Sequence, residues 1–298
     1  MNFGFLIDKK QFQFSGCEIK PLPDIDIKLH DFLDKGRVYE GWILPNLEQK
    51  HHQAINEINE FRINPVTTVS NFFEIEATHS LIMPEENPAK AKFLILAYGF
   101  LQGVYLCPEK NLYFKRVPYQ RGKLTGIIPQ NQDYEVGMDG FFHYYDKVND
   151  YERKLMFAIL HWFLLGRCYE YEWDRFAAQY YVFDAICKIS GFNKSHSMRP
   201  ERIAKHFDIP IPDFAQIYEK PSSDKRNVKT CKLAEIRNEL FHEAKYAGEP
   251  IGYNYPKQNF DLGFPRFNLQ LIISIVGLKT EILTTGTYDK GRANWRFK

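Results

Sequence analysis

The chain has 298 residues and is 44% hydrophobic, 16% aromatic and 26% charged. That composition excludes a disordered polymer and leaves room for two domains with substantial cores. The net charge of +2 makes no whole-chain case for a polyanionic partner, but the charge is unevenly spread. Residues 1–150 carry 16 Lys and Arg against 20 Asp and Glu, a net of −4; residues 151–298 carry 23 against 17, a net of +6. The positive potential lies in the second half.

The five cysteines, Cys17, Cys107, Cys168, Cys187 and Cys231, are odd in number, scattered and without a C-x-x-C. They argue against a disulfide framework and a structural zinc site, and each reads as a small buried hydrophobe. The leading MNFGFLIDKK has no long apolar signal region. The longest apolar run, Leu155 to Gly166, is broken by His161 and is too short for a bilayer. A soluble cytoplasmic protein with no membrane partner and no cofactor is expected.

In chain order, Asn2–Ile7 and Gln11–Lys20 read as a pair of strands around Asp8-Lys9-Lys10. Val38–Leu44 and Asn71–Ala77 are further strands, and Glu48–Phe61 has the spacing of a polar surface helix. His51 and His52 within it point about 100° apart on a helix and converge poorly on one ion. Asn87-Pro88 reads as an N-cap and first helical position. The apolar run Ala91–Leu106 fits a buried helix, with two strands as the alternative because Gly99 and Gly103 interrupt it. Asn111–Val117 reads as a strand, and 118–140 as loop or short strands. Beyond Asp146 the character turns helical: Asp150–Cys168, Glu170–Ser190, Pro200–Phe207, Asn227–Tyr246 and Phe267–Leu283. The expected fold class is α+β, with a mixed domain over 1–145 and an all-α bundle over 146–298.

The fourth of these helices carries Arg237-Asn238-Glu239-Leu240-Phe241-His242. Leu233, Ile236, Leu240 and Ala244 recur at helical spacing as an apolar stripe. Arg237 flanks the stripe, and Asn238 and His242 follow around an adjacent arc. A cation, an amide and an imidazole thus share one face. Histidine can move the proton of a ribose 2′-hydroxyl or of a leaving oxygen, and arginine can bind phosphate in bidentate fashion. The alternative is an arginine paired with a nearby glutamate beside an ordinary surface histidine.

This segment resembles the R-N-x-x-x-H signature of HEPN domains, the helical ribonuclease-related domains of toxin–antitoxin and phage-defence systems. The resemblance covers the motif and, loosely, the helical half around it. It implies a metal-independent endoribonuclease completed by a homodimer, with Arg237 and His242 as the catalytic pair and Asn238 positioning His242. It further implies RNA as substrate and an antitoxin or phage-derived trigger as a possible partner. Asp184, among apolar neighbours in Tyr-Tyr-Val-Phe-Asp-Ala-Ile, matches by position an acidic residue that orients the family's site. Equally, it is a carboxylate paired for structural reasons with an Arg or Tyr. Some family members keep the bundle without activity, so a non-catalytic RNA- or protein-binding module is the alternative function.

Two basic segments are candidates for RNA contact. Residues 188–232 contain ten Lys and Arg against five Asp and Glu, among them Lys225, Arg226, Lys229 and Lys232, which would touch phosphate if they rim the motif. The tail from Tyr288 to Lys298 interleaves basic and aromatic residues; Trp295 or Phe297 would either stack on bases or dock on the protein's own surface. The acidic first half is expected to sense, select or regulate. No Gly-rich phosphate loop, H-E-x-x-H or G-x-S-x-G occurs.

Overall fold

A computed structural model describes residues 1–34, 38–43, 73–74, 76–108, 112–113, 117–126, 128–129, 133–192, 195–221, 227–252, 263–286 and 296–297. A strand-containing N-terminal region precedes a helical region, as the α+β expectation requires. The chain divides into two units, Met1–Gly126 and Ile127–Lys298, so the division falls before the expected boundary near 145.

The first unit is built on a five-stranded antiparallel sheet. Its strands are β1 (Asn2–Gly4), β2 (Phe12–Phe14), β3 (Cys17–Pro21), β7 (His79–Ile82) and β8 (Cys107–Pro108), in the order β2-β3-β7-β1-β8. Between β3 and β7 lie helix α1 (Ile25–Asp34), the hairpin of β4 (Val38–Tyr39) and β5 (Trp42–Ile43), and β6 (Phe73–Glu74). Gln11–Lys20 is a hairpin rather than one strand. Ser15 and Gly16 both take positive φ, 44° and 77°, the two-residue turn whose twist suits a hairpin. Consequently β1 pairs with β7 and β8, Phe3 opposite His79 and Gly4 opposite Cys107, and not with its sequence neighbour. The expected helix at Glu48–Phe61, with His51 and His52, lies outside the described residues.

Helix α2 (Pro88–Gln102) covers this sheet. Asn87 Oδ1 accepts from Lys90 N at 3.0 Å, Pro88 supplies the first turn, and Gly103 ends the helix with φ 65°. This settles the ambiguity over Ala91–Leu106 in favour of a helix. Gly99 belongs inside it because a Cβ there would meet Val104 O at 2.8 Å. Tyr98 rests edge-on against Phe3 and beside Phe12. His79 is fully buried under this layer. Its Nε2 donates to Asp8 O at 2.7 Å, and its Nδ1 lies 3.0 Å from Thr78 Oγ1, which also accepts from Leu6 N. After β8 come the short strands β9 (Leu112–Tyr113) and β10 (Val117–Pro118).

The second unit holds α3 (Asp133–Lys147), α4 (Asp150–Gly166), α5 (Glu172–Ile189), α6 (Arg199–His206), α7 (Lys232–Glu243) and α8 (Gly263–Val276). Helix α3 occupies part of the stretch expected to be loop. Its glycines read as breakers in the sequence, yet Gly140 is where the helix meets Leu278, whose Cδ2 lies 2.5 Å from an added Cβ. Helix α4 starts in a reciprocal capping box of Asn149 and Glu152. It packs closely on α5: a Cβ at Gly166 would lie 2.4 Å from Ala178 Cβ. Gln179 Nε2 donates to Phe163 O at 3.1 Å, and Asn268 Nδ2 donates to Gln179 O at 2.9 Å, tying α4, α5 and α8 together through the core. Phe176, Tyr180, Phe183, Phe264 and Phe267 fill the space between them.

Asn227–Tyr246 is not one helix. Its first residues form β12 (Asn227–Thr230), paired with β11 (Tyr218–Pro221), and α7 follows from Lys232. β-Branched Val228 and Thr230 favour the strand. The chain then turns through β13 (Lys245–Tyr246) and β14 (Glu249–Pro250). All five cysteines are buried with free thiols. Among the described residues no helix is long and apolar enough to cross a membrane.

Candidate functional site

Leu233, Ile236 and Leu240 of the apolar stripe are buried and orient α7. Ala244 is not; it caps the helix in the left-handed conformation, φ 52°, and is exposed. With the stripe inward, Arg237 is half-buried while Asn238 and His242 are exposed.

The three motif side chains come together. Arg237 Nη1 lies 2.7 Å from His242 Nε2 and donates to Asn238 Oδ1 at 3.1 Å. Asn238 therefore holds Arg237 and not His242, contrary to the expected role. The guanidinium carbon also sits 5.4 Å from the centre of the Phe241 ring, a cation–π distance. Among the described residues no carboxylate pairs with Arg237: Glu235 pairs with Lys220 and Glu239 accepts from Gly248 N, each at 3.0 Å. Its Nε is shut off from solvent without a hydrogen-bond partner.

A guanidinium only donates, so His242 Nε2 accepts. While that bond is made the ring is neutral and carries its proton on Nδ1.

Asp184 lies on α5, one helical turn beyond Tyr180. Its Oδ1 accepts from Arg199 Nη1 at 2.8 Å. Arg199 opens α6, and His196 stands in the turn before it. His196 Nδ1 is 2.9 Å from the Tyr180 hydroxyl, 3.5 Å from Arg199 Nη1 and 3.8 Å from Asp184 Oδ1. Tyr180 joins the two groups, because its ring packs edge-on against Phe241 at 6.2 Å. Burial, then the negative charge of Asp184, pushes the Tyr180 hydroxyl far above its ordinary value, with Arg237 and Arg199 opposing. It stays protonated. Burial and the neighbouring Arg199 cation lower His196, and Arg237 and His242 act in the same direction. His196 thus feels both arginines and His242, with Asp184 acting in the opposite direction.

Tyr180 is not among the expected site residues, and Arg199 and His196 enter only as members of the basic segment 188–232. The usable signal was Asp184 itself: a carboxylate amid apolar neighbours demands a partner, and Tyr180 at i−4 shares its face.

The other expected contacts scatter. Lys225 and Arg226 lie outside the described residues. Lys229 is exposed on β12, opposite Glu219. Lys232 begins α7, about 7.5 Å along the axis before Arg237. Phe297 docks, bridging to Thr280 and donating its N–H to Asp133 Oδ1 at 3.2 Å; Trp295 lies outside the described residues. Among the described residues no group of three or more His, Cys, Asp or Glu side chains converges as a metal site.

No family model, curated protein or solved structure matches the chain.

Proposed function

We propose that the chain is a metal-independent endoribonuclease whose helical unit is HEPN-like. The observation that carries the reading is the 2.7 Å contact between Arg237 Nη1 and His242 Nε2 on an exposed helix face. A phosphodiester entering that face competes for the guanidinium fork. Arg237 turns to the phosphate oxygens and frees the Nε2 lone pair. His242 then takes the 2′-hydroxyl proton, the 2′-oxygen attacks phosphorus, and the bond to the 5′-oxygen breaks as that oxygen takes a proton from water, His242 returning its own proton to solvent. The products are a 2′,3′-cyclic phosphate and a 5′-hydroxyl. Arg237 and Arg199 would share the charge of the pentavalent transition state, with Asp184 holding Arg199 and Asn238 holding Arg237. A homodimer, a role in phage defence or growth arrest, and an antitoxin or phage-derived trigger follow from the resemblance of the motif.

The test is to express the wild type and His242→Ala and sequence the RNA ends in each. New cyclic-phosphate and 5′-hydroxyl ends in the wild type alone support the reading. Identical ends in both replace it with a non-catalytic binding module.

A further inference from the structure

A line of aromatic side chains leads away from Arg237 across three helices. Phe241 on α7 faces Tyr181 on α5, ring centres 6.1 Å apart and planes within 29°. Tyr181 meets Trp162 on α4 at 5.7 Å. Trp162 adjoins His161 at 5.5 Å, and His161 stacks on Phe157 one turn earlier at 6.5 Å and 8°. Three of these rings are substantially open to solvent: Tyr181 at 48%, Phe157 at 37% and Phe241 at 37%. Large rings left in water on adjoining helices cost apolar burial that the core would otherwise gain.

The electrostatic setting narrows what covers them. One helical turn from Phe157 is Lys154, which pairs with Asp150 at 2.7 Å, and one turn from Phe241 is Arg237. One turn to either side of Tyr181 are Ala177 and Ala185. The nearest carboxylate by helical spacing, Asp184, is engaged by Arg199. The track is therefore apolar and aromatic, and at one end continuous with the guanidinium that the cleavage reading assigns to phosphate.

We infer that Phe157, Trp162, Tyr181 and Phe241 form a stacking track for the bases of single-stranded RNA flanking the phosphate held by Arg237. The inference rests on the ribonuclease reading for its polarity, but its binding can be measured without cleavage. Every base has a π-face, so such a track accepts sequence broadly and favours unpaired strands, whose bases are free to leave their own stack.

The probe is a short fluorescein-labelled 2′-O-methyl oligouridylate, whose blocked 2′-oxygen cannot attack, titrated with the full-length protein by fluorescence anisotropy. Tyr181→Ala and Phe157→Ala are each expected to weaken binding by about 5- to 100-fold. Tyr181→Phe and Phe157→Tyr are expected to retain it, since the ring face persists. An abasic oligomer of equal length should bind more weakly and lose its sensitivity to Tyr181→Ala. Alanine variants that bind the oligouridylate like the wild type overturn the track. So do alanine variants that leave binding intact while light scattering shows a dimer falling to monomer, because the face is then a contact between copies. If the wild type cuts no RNA yet loses oligouridylate affinity on Tyr181→Ala, the ribonuclease reading falls and the track stands.

Discussion

The Asp184 carboxylate holds the Arg199 guanidinium at 2.8 Å, and through that bond a second cation is fixed beside His196. Asp184→Asn keeps the shape and removes the charge. The pair is partly exposed, at 33% and 18%, so the change is expected to cost about 1 kcal/mol of stability and to lower Tm by about 3 °C. If Arg199 serves the transition state, cleavage falls by about tenfold or more while the melting curve stays cooperative. Wild-type cleavage by a well-folded Asp184→Asn protein would leave the pair a structural one.

Arg199→Gln carries a further expectation for His196. The Arg199 cation holds the imidazole below its ordinary value, after burial. Removing the cation should raise the His196 titration midpoint, and the freed Asp184 carboxylate should raise it further. The C2 proton of His196 followed by NMR across pH checks this; an unchanged or lower midpoint contradicts the geometry.

His242→Ala and Arg237→Ala are expected to abolish cleavage, each by about 10²–10⁴-fold. His242 is exposed, so its truncation should stay within about 1 kcal/mol in stability. Arg237→Lys should not restore the rate, because an ammonium lacks the planar fork that binds two phosphate oxygens at once. Circular dichroism and cleavage of total cellular RNA, measured on the same preparations, decide the matter.

The first unit should lose stability in mild acid. Burial depresses His79 from 6.5 to about 4, against smaller raising effects from Asp8. The unfolded chain therefore binds more protons between those values, and stability falls as pH drops from about 6.5 and levels off below about 4. The full loss is about 3 kcal/mol. Urea unfolding followed across that range should show the slope, and His79→Gln should flatten it. A wild-type profile flat between pH 7 and pH 4 would contradict the buried neutral ring.

Helices α4 and α5 meet at Gly166 and Ala178. Gly166→Ala places a methyl 2.4 Å from Ala178 Cβ, and prying the helices apart is expected to cost about 1–3 kcal/mol. Adding Ala178→Gly vacates the space, so the double variant should recover part of that loss despite the extra helical glycine. Strictly additive losses in thermal melts would show that the two residues do not touch.

Periodicity made the helices of the second unit legible: α4, α5 and α6 stand close to where the spacing put them, whereas α8 begins four residues before its expected start and ends seven before its expected end. The motif face on α7 was legible for the same reason. Strand pairing was not. β1 joins β7 across most of the unit's length, and nothing local in Asn2–Gly4 names His79 as the residue opposite Phe3. Asn227–Thr230 read as helix because strand residues preceded a strong helical stripe without a break. The partner of Asp184 was hidden because Arg199 sits fifteen residues on, past a glycine and a turn, and looked like one more surface cation. Asn238 shows a finer limit: spacing put it beside His242, yet its amide oxygen reaches the longer and more strongly donating neighbour.

The burial of every thiol gives the molecule its own reporters of opening. Cys17 and Cys107 belong to the first unit, and Cys168, Cys187 and Cys231 to the second. Burial pushes the Cys187 thiol up to about 12 and raises Cys231 as well, so the reactive thiolate is scarce while the helices stay packed. A thiol reagent must wait for each unit to breathe. Labelling mapped peptide by peptide therefore times the excursions of the two halves separately, without a chromophore or a tag.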